Sequence, residues 1–193
     1  MSKRAFRAIV FGAVIGLLGI ASYAVAGGGK GHLKAGTLTG YEENPDISTV
    51  ATGTFEARIG EGDKTIAYKL TYSGLEGTVQ QAHIHFGKRA VNGGVSVFLC
   101  SNLGNAPAGT PLCPDNQPVE GELDAADVVG PNSGMTIQGI EPGALAELVA
   151  AIRAGHTYVN VHSTKWPGGE IRAQIRGKDK GNEDGKHGDG EDG

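Results

Sequence analysis

The residues of this sequence best suited to chemistry are three histidines, His83, His85 and His162. His83 and His85 are two positions apart, so on a β-strand they would project from the same face. A His-x-His pair on a strand, together with a third imidazole, is a known way of presenting nitrogen ligands to Zn²⁺ or Cu²⁺. The sequence therefore predicts a three-histidine metal site, with Cu or Zn as the candidate cofactor and a redox-related role as one option.

A second interpretation of the same histidines comes from Asn160, Glu170 and Arg172. We expect residues 157–162 and 170–176 to form an antiparallel hairpin, which would bring Asn160 and His162 near Glu170 and Arg172. A Glu170–Arg172 ion pair and the imidazoles would then form a buried hydrogen-bonded network that fixes strand register. The metal site and the structural network both remain open on the sequence alone.

Enzymatic activity has little support in these residues. No nucleophile, base and orienting group occur together in a recognisable set. The sequence also lacks the P-loop, H-E-x-x-H and G-x-S-x-G motifs. We therefore expect a binding or structural module rather than an enzyme.

The segments that carry the histidines are predicted to be β-strands. In residues 65–72, Ile66, Tyr68 and Leu70 alternate with polar neighbours, as on a strand with one buried face. Clusters of Gly, Pro, Asn and Asp separate similar runs, which cover residues 35–39, 53–59, 81–86, 95–99, 119–123, 157–162 and 170–176. Seven or eight short strands predict a mainly β, antiparallel sandwich or barrel.

One segment has helical spacing instead. Residues 143–154 place apolar side chains at i, i+3, i+4 and i+7, namely Leu145, Leu148, Val149 and Ile152. Pro142 precedes this segment, and Gly155 follows it as a candidate helix terminator. We expect a single amphipathic helix packed on the strands.

The two cysteines are expected to form one disulfide. Cys100 and Cys113 enclose a short loop of Gly, Pro and Asn residues, and no C-x-x-C spacing suggests a redox or metal pair. An oxidising compartment outside the cytoplasm would favour this bond.

The two ends of the chain differ from its middle. Residues 1–26 have the form of a secretory signal peptide, with Lys3, Arg4 and Arg7 before an apolar run and Ala24-Val25-Ala26 as cleavage site. Residues 27–35 are expected to be a flexible leader, and residues 177–193 a disordered, acidic, glycine-rich tail. One folded domain is therefore predicted for residues 36–176.

Composition narrows the class of partner. The 193 residues include 17 Lys and Arg against 21 Asp and Glu, a net charge of −4. This balance argues against a nucleic-acid partner, which requires a clustered basic surface. We expect a periplasmic or secreted protein that meets the membrane only transiently, through its signal peptide. Its partner would be an extracellular or envelope protein or ligand.

Several motifs together resemble one family. They are L-T-G-Y-E-E-N-P at 38–45, A-T-G-T-F at 51–55, A-H-I-H-F-G at 82–87, F-L-C…L-C-P at 98–114, A-G-H-T-Y-V-N-V-H-S at 154–163 and P-G-G-E-I-R-A-Q-I at 167–175. This set resembles the CHRD domain, named after chordin and common in bacterial exported proteins. The resemblance implies an immunoglobulin-like β-sandwich or barrel. It also implies a non-enzymatic module that acts at the cell envelope or outside the cell.

Overall fold

The structure, a computed structural model, describes residues 31–130 and 138–177 of the chain. Within these residues it contains eight β-strands, one α-helix and three single-turn 3₁₀ helices. The strands are β1 (His32–Ala35), β2 (Thr52–Ile59), β3 (Ile66–Ser73), β4 (Val79–Phe86), β5 (Gly94–Ser101), β6 (Val119–Leu123), β7 (Thr157–Ser163) and β8 (Ile171–Gly177). The helix, α1, spans Leu145–Arg153, and the 3₁₀ turns are Gly40–Glu42, Glu61–Asp63 and Ala125–Asp127.

The eight strands form one antiparallel sheet in the order β5-β4-β7-β8-β1-β2-β3-β6. The sheet curls into a nearly closed barrel or sandwich, so that strands far apart in this order approach each other. Tyr68 of β3 accordingly donates its hydroxyl hydrogen to the Leu99 carbonyl of β5 at 2.6 Å. The predicted mainly β, antiparallel fold with one helix is confirmed.

The apolar core lies on the inner face of the curled sheet. Alternate residues of β3 are buried there, among them Ile66, Tyr68 and Leu70, as the sequence pattern predicts. Ile84 of β4 and Val161 of β7 extend the same core under the other half of the sheet. The histidines of β4 and β7 occupy the alternating positions, and the strand period therefore directs them to the outer face.

The predicted amphipathic helix is present as α1. Its four apolar positions are all buried, namely Leu145, Leu148, Val149 and Ile152. Gly155 follows the helix with φ of +73°, a left-handed conformation that lets the chain turn away after the last helical residues. None of the helices in the described residues is long and apolar enough to cross a membrane.

The predicted disulfide is also confirmed. Cys100 of β5 and Cys113 are bonded, with their Cα atoms 5.0 Å apart. The Asn102 side chain lies inside the enclosed loop and hydrogen-bonds both the backbone N–H and the carbonyl of Cys113. The loop is therefore held by side-chain contacts as well as by the covalent bond.

The start of the domain differs from the prediction. β1 covers His32–Ala35, where a leader was expected, because Leu33 is buried and the segment pairs with both β2 and β8. The strand predicted for residues 35–39 is wrong in position, since Leu38 and Thr39 make only isolated bridges. Gly177, assigned to the tail, ends β8. The predicted signal peptide and residues 178–193 lie outside the described residues.

Candidate metal centre

The three histidines lie on the outer face of neighbouring strands β4 and β7, yet they are buried. His83, His85 and His162 have exposed fractions of 2%, 8% and 6%. Three loops cover them, and we call these loops the roof: residues 40–47, 87–93 and 164–169. The roof contacts the strands through hydrogen bonds from His85 to Gly93 and from His162 to Pro167.

The imidazoles converge. The Nδ1 atom of His83 lies 3.1 Å from Nε2 of His162. One ring nitrogen from each of His83, His85 and His162 lies within 4.8 Å of the others. Two nitrogens bound to one tetrahedral zinc ion at the usual bond lengths are about 3.3 Å apart. The His83–His162 separation is therefore close to that of a shared ion, and His85 needs only a small approach.

Backbone carbonyls orient two of the rings. Nδ1 of His85 lies 2.9 Å from the Gly93 carbonyl oxygen, and Nδ1 of His162 lies 2.9 Å from the Pro167 carbonyl oxygen. A carbonyl can only accept a hydrogen bond, so each Nδ1 carries the hydrogen and each Nε2 carries a lone pair. Metal-binding histidines are commonly held in this way, with the second ring nitrogen donating to a carbonyl.

The position of the hydrogen on the His83 ring follows from the same argument. Because Nε2 of His162 is an acceptor, Nδ1 of His83 donates to it, and Nε2 of His83 keeps its lone pair. The Nε2 atoms of His83 and His85 are buried and have no hydrogen-bond partner within the described part of the chain. A bound ion would displace the proton shared between His83 and His162, which would pass to Nε2 of His83, and it would take up a buried lone pair of His85.

Asn160 adds a further acceptor to this centre. Its Oδ1 atom lies 3.0 Å from Nε2 of His162, while its amide nitrogen is directed towards the Glu43 carboxylate. Two acceptors at this distance repel each other unless a positive group lies between or beside them. In the metal-free protein the Nδ1–H group of His83 lies beside them, and a cation could take its place where the three side chains meet.

Burial also keeps the imidazoles neutral. It lowers the pKa of His83 to about 2 and that of His85 to about 4, and it lowers the pKa of His162. The charge that His162 would carry lowers the His83 and His85 values further. Near neutral pH all three rings are unprotonated, which is the form that binds a metal ion.

An aromatic stack connects this cluster to Arg172. The His85 ring lies parallel to the Tyr158 ring, with centroids 4.7 Å apart, and the Arg172 guanidinium carbon lies 3.3 Å from the Tyr158 centroid. Arg172 also donates hydrogen bonds to the carbonyls of Lys88 and Val91. Since these residues precede Gly93 in the same loop, Arg172 holds the segment that orients His85.

The predicted Glu170–Arg172 pair is wrong. Glu170 accepts hydrogen bonds from the Thr49 hydroxyl at 2.8 Å and from the Glu76 backbone N–H at 2.9 Å. Glu170 precedes β8 and its side chain reaches these loops, whereas Arg172 lies within β8 and reaches the roof. The predicted proximity of Asn160 to Arg172 is correct, since the two residues are opposite each other in β7 and β8.

Sequence reasoning missed Glu43 as a member of this cluster. Burial raises its pKa from 4.5 to about 7, although the Arg172 charge and the Asn160 hydrogen bond act in the opposite direction. The lack of a side chain at Gly169 leaves room for the Glu43 and Asn160 side chains. A Cβ atom at this position would lie 2.6 Å from Glu43 Oε1 and 2.8 Å from Asn160 Nδ2. The only signal in the sequence is the position of Glu43 inside the E-E-N-P motif.

Comparison with known proteins places the chain in a family. No curated protein and no solved structure matches it. The family model of the CHRD domain matches residues 35–175, which include β2 to β7, most of β8, the last residue of β1 and all three histidines. The chain therefore belongs to the CHRD domain family.

Proposed function

We propose that this protein is an exported, non-enzymatic CHRD module that binds one copper or zinc ion through His83, His85 and His162. The observation that carries the proposal is the convergence of three buried imidazoles, with ligand nitrogens within 4.8 Å of one another. The family itself establishes a β-domain module, and the metal is our inference from the site.

The hydrogen bonding favours a metal over a purely structural network. A structural network would be expected to satisfy its buried nitrogens. Here the Nε2 atoms of His83 and His85 are without partners among the described residues, and Asn160 Oδ1 faces a second acceptor on His162. A cation at the centre would take up the His85 lone pair and would lie between the facing Asn160 and His162 acceptors.

The donor set restricts the kind of ion. The clustered ligands are three neutral imidazoles, which suit zinc and copper among biological metals. Calcium and magnesium bind through oxygen ligands. The proposed ion is therefore Zn²⁺ or copper.

Two features support export. The basic, then apolar, then small-residue order of residues 1–26 is typical of a secretory signal peptide. The Cys100–Cys113 disulfide is typical of proteins that reside in an oxidising compartment. The proposed site of action is the cell envelope or the extracellular medium.

The test is metal retention by the purified protein. The protein is incubated with Zn²⁺ or Cu²⁺, desalted, and analysed for metal by mass spectrometry. We expect about one ion per chain for the wild type and less than about a tenth of that for His162→Ala, because removing one of three ligands opens the site.

The matched control is His32→Ala, since His32 lies on β1 and is not part of the cluster. This variant should retain as much metal as the wild type. Equal metal losses in His162→Ala and His32→Ala, or a wild type that retains no metal after desalting, would overturn the proposal.

A further inference from the structure

A row of charged side chains crosses the outer face of the sheet away from the histidines. It runs across five neighbouring strands through directly opposed residues, in the order Arg176, Lys34, Glu56, Lys69 and Glu120. Lys34 and Glu56 form an ion pair at 2.7 Å, and Lys69 and Glu120 form another at 2.6 Å. Opposite charges placed directly across strands stabilise the pairing of those strands.

The alternation of charge fails at one end of this row. Arg176 of β8 lies directly opposite Lys34 of β1, and both side chains are cationic. Like charges in opposed positions destabilise a strand pair. Arg176 is exposed, and it makes no ion pair with any acidic residue in residues 31–130 or 138–177. The row therefore lacks a negative charge beside Arg176.

A cavity of about 540 Å³ opens at this position. Four of its lining residues are cationic, namely Lys34, Arg89, Arg153 and Arg176, and none is acidic. Arg89 pairs with Glu42 and Arg153 with Asp63, but these carboxylates do not line the cavity. Such exposed ion pairs are weak, so their cations can also attract a bound anion.

The end of α1 borders the cavity, and several of the carbonyls there already accept hydrogen bonds. The carbonyls of Ala150, Ala151 and Ile152 accept hydrogen bonds from backbone N–H groups of the residues that follow the helix. The Gly155 carbonyl accepts a hydrogen bond from the Gln174 side chain at 2.9 Å. These carbonyl oxygens therefore already have hydrogen-bond donors within the protein. The small residues Ala154 and Gly155 leave room for a ligand beside the cationic side chains.

We propose that this cavity binds a small oxyanion, a carboxylate or a phosphate, between Lys34 and Arg176. The anion supplies the negative charge that is missing from the row. The Arg176 guanidinium offers paired donors to two oxygens of such a group, and Lys34 adds a compact positive charge. This site is separate from the three histidines and does not depend on a bound metal.

The test is an NMR titration of the purified, ¹⁵N-labelled protein at low salt, with inorganic phosphate in one series and citrate in another. We expect saturable shifts confined to amides that line the cavity, such as those of Ala35, Gly155 and Gly177. The series with the lower dissociation constant assigns the site to phosphate or to carboxylate. Arg176→Gln should raise the dissociation constant about tenfold, the loss expected for a charged hydrogen bond.

Two further variants make the test specific. Arg58→Gln removes an exposed arginine on the outer face that does not line the cavity, and it should change the dissociation constant less than about twofold. Arg176→Glu should abolish binding without lowering the melting temperature, because the like charge opposite Lys34 is then replaced by a second acidic neighbour. Equal effects of Arg176→Gln and Arg58→Gln, shifts that do not saturate, or unchanged binding in Arg176→Glu would overturn the proposal.

Discussion

The outer faces of the two halves of this sheet are both polar, but only one of them is exposed. On β1, β2, β3 and β6 the outward side chains form the charged row, and those of Lys34 and Glu56 are 56% and 39% exposed. On β4, β7 and the first residues of β8 the roof covers the outward side chains, and Arg172 is only 1% exposed. The same alternation of apolar and polar residues therefore produces a solvated surface in one half and a buried polar layer in the other.

This difference shows in which half of the sheet hydrogen bonding contributes most to stability. Exposed charges can exchange protein partners for water, so each exposed ion pair contributes little to the free energy of unfolding. Buried polar groups have lost that alternative, and a missing partner costs the whole desolvation penalty. We therefore expect substitutions in the roofed half to have large and specific effects, and substitutions in the exposed half to have small ones.

The largest effect is expected from Arg172→Ala. The change leaves the Lys88 and Val91 carbonyls without their donor and removes the guanidinium from the Tyr158 ring. We expect the free energy of unfolding to fall by about 4 kcal/mol, measured by urea denaturation.

Arg58→Ala is the matched control in the exposed half. Arg58 lies on the outer face of β2 and is exposed, so its removal should change the free energy of unfolding by less than about 0.5 kcal/mol. Comparable losses in the two variants would remove the distinction between the halves.

An intermediate effect is expected from acid. In the folded, metal-free protein the pKa of His83 is about 2 and that of His85 about 4, whereas both take the ordinary value of 6.5 when unfolded. Below pH 6.5 the unfolded chain binds more protons than the folded one, so stability falls as the pH decreases. Glu43 acts in the opposite sense, because its raised pKa stabilises the folded state below 4.5 and this contribution is lost towards pH 7.

The histidines outnumber Glu43, so the net change is a loss of stability on acidification. We expect the free energy of unfolding to fall by about 1 kcal/mol between pH 6.5 and roughly 5.5. The measurement is urea denaturation of metal-free protein at several pH values, with His83→Gln expected to reduce the slope. A stability that rises on acidification in this range would show that the roof does not keep the histidines neutral.

The smallest effect is expected in the charged row. Lys69 and Glu120 are 42% and 40% exposed, so their coupling in a double-mutant cycle with Lys69→Gln and Glu120→Gln should be about 0.5 kcal/mol. Added salt should weaken it further. A coupling of several kcal/mol would place this pair in the same energetic class as the roofed residues.

Local patterns were sufficient to predict much of the molecule. The alternation in β3, the apolar stripe of α1 and the β7–β8 hairpin each depend on residues close together in sequence. The strand period also placed His83 and His85 on one face. These predictions succeeded because backbone geometry alone decides them.

The roof could not be predicted in this way. Arg172 bonds the Lys88 carbonyl across 84 positions, and Glu43 reaches Asn160 from a separate loop. The strand period also predicts that Glu170 pairs with Arg172. In the structure the partners of Glu170 are Thr49 and the Glu76 backbone. The packing of loops against the sheet determines these contacts. The alternation of apolar and polar residues along a strand carries no information about how loops pack.

The separation of 79 positions from His83 to His162 has a consequence for when the site comes into existence. β5, β6 and α1 all lie between these two residues in the chain, so the imidazoles meet only after most of the sheet has assembled. Long-range contacts of this kind form late, because the intervening chain must first be ordered. An unfolded chain offers at most the His83-x-His85 pair. The compartment in which the protein completes its folding would therefore also determine the pool that supplies the proposed metal ion.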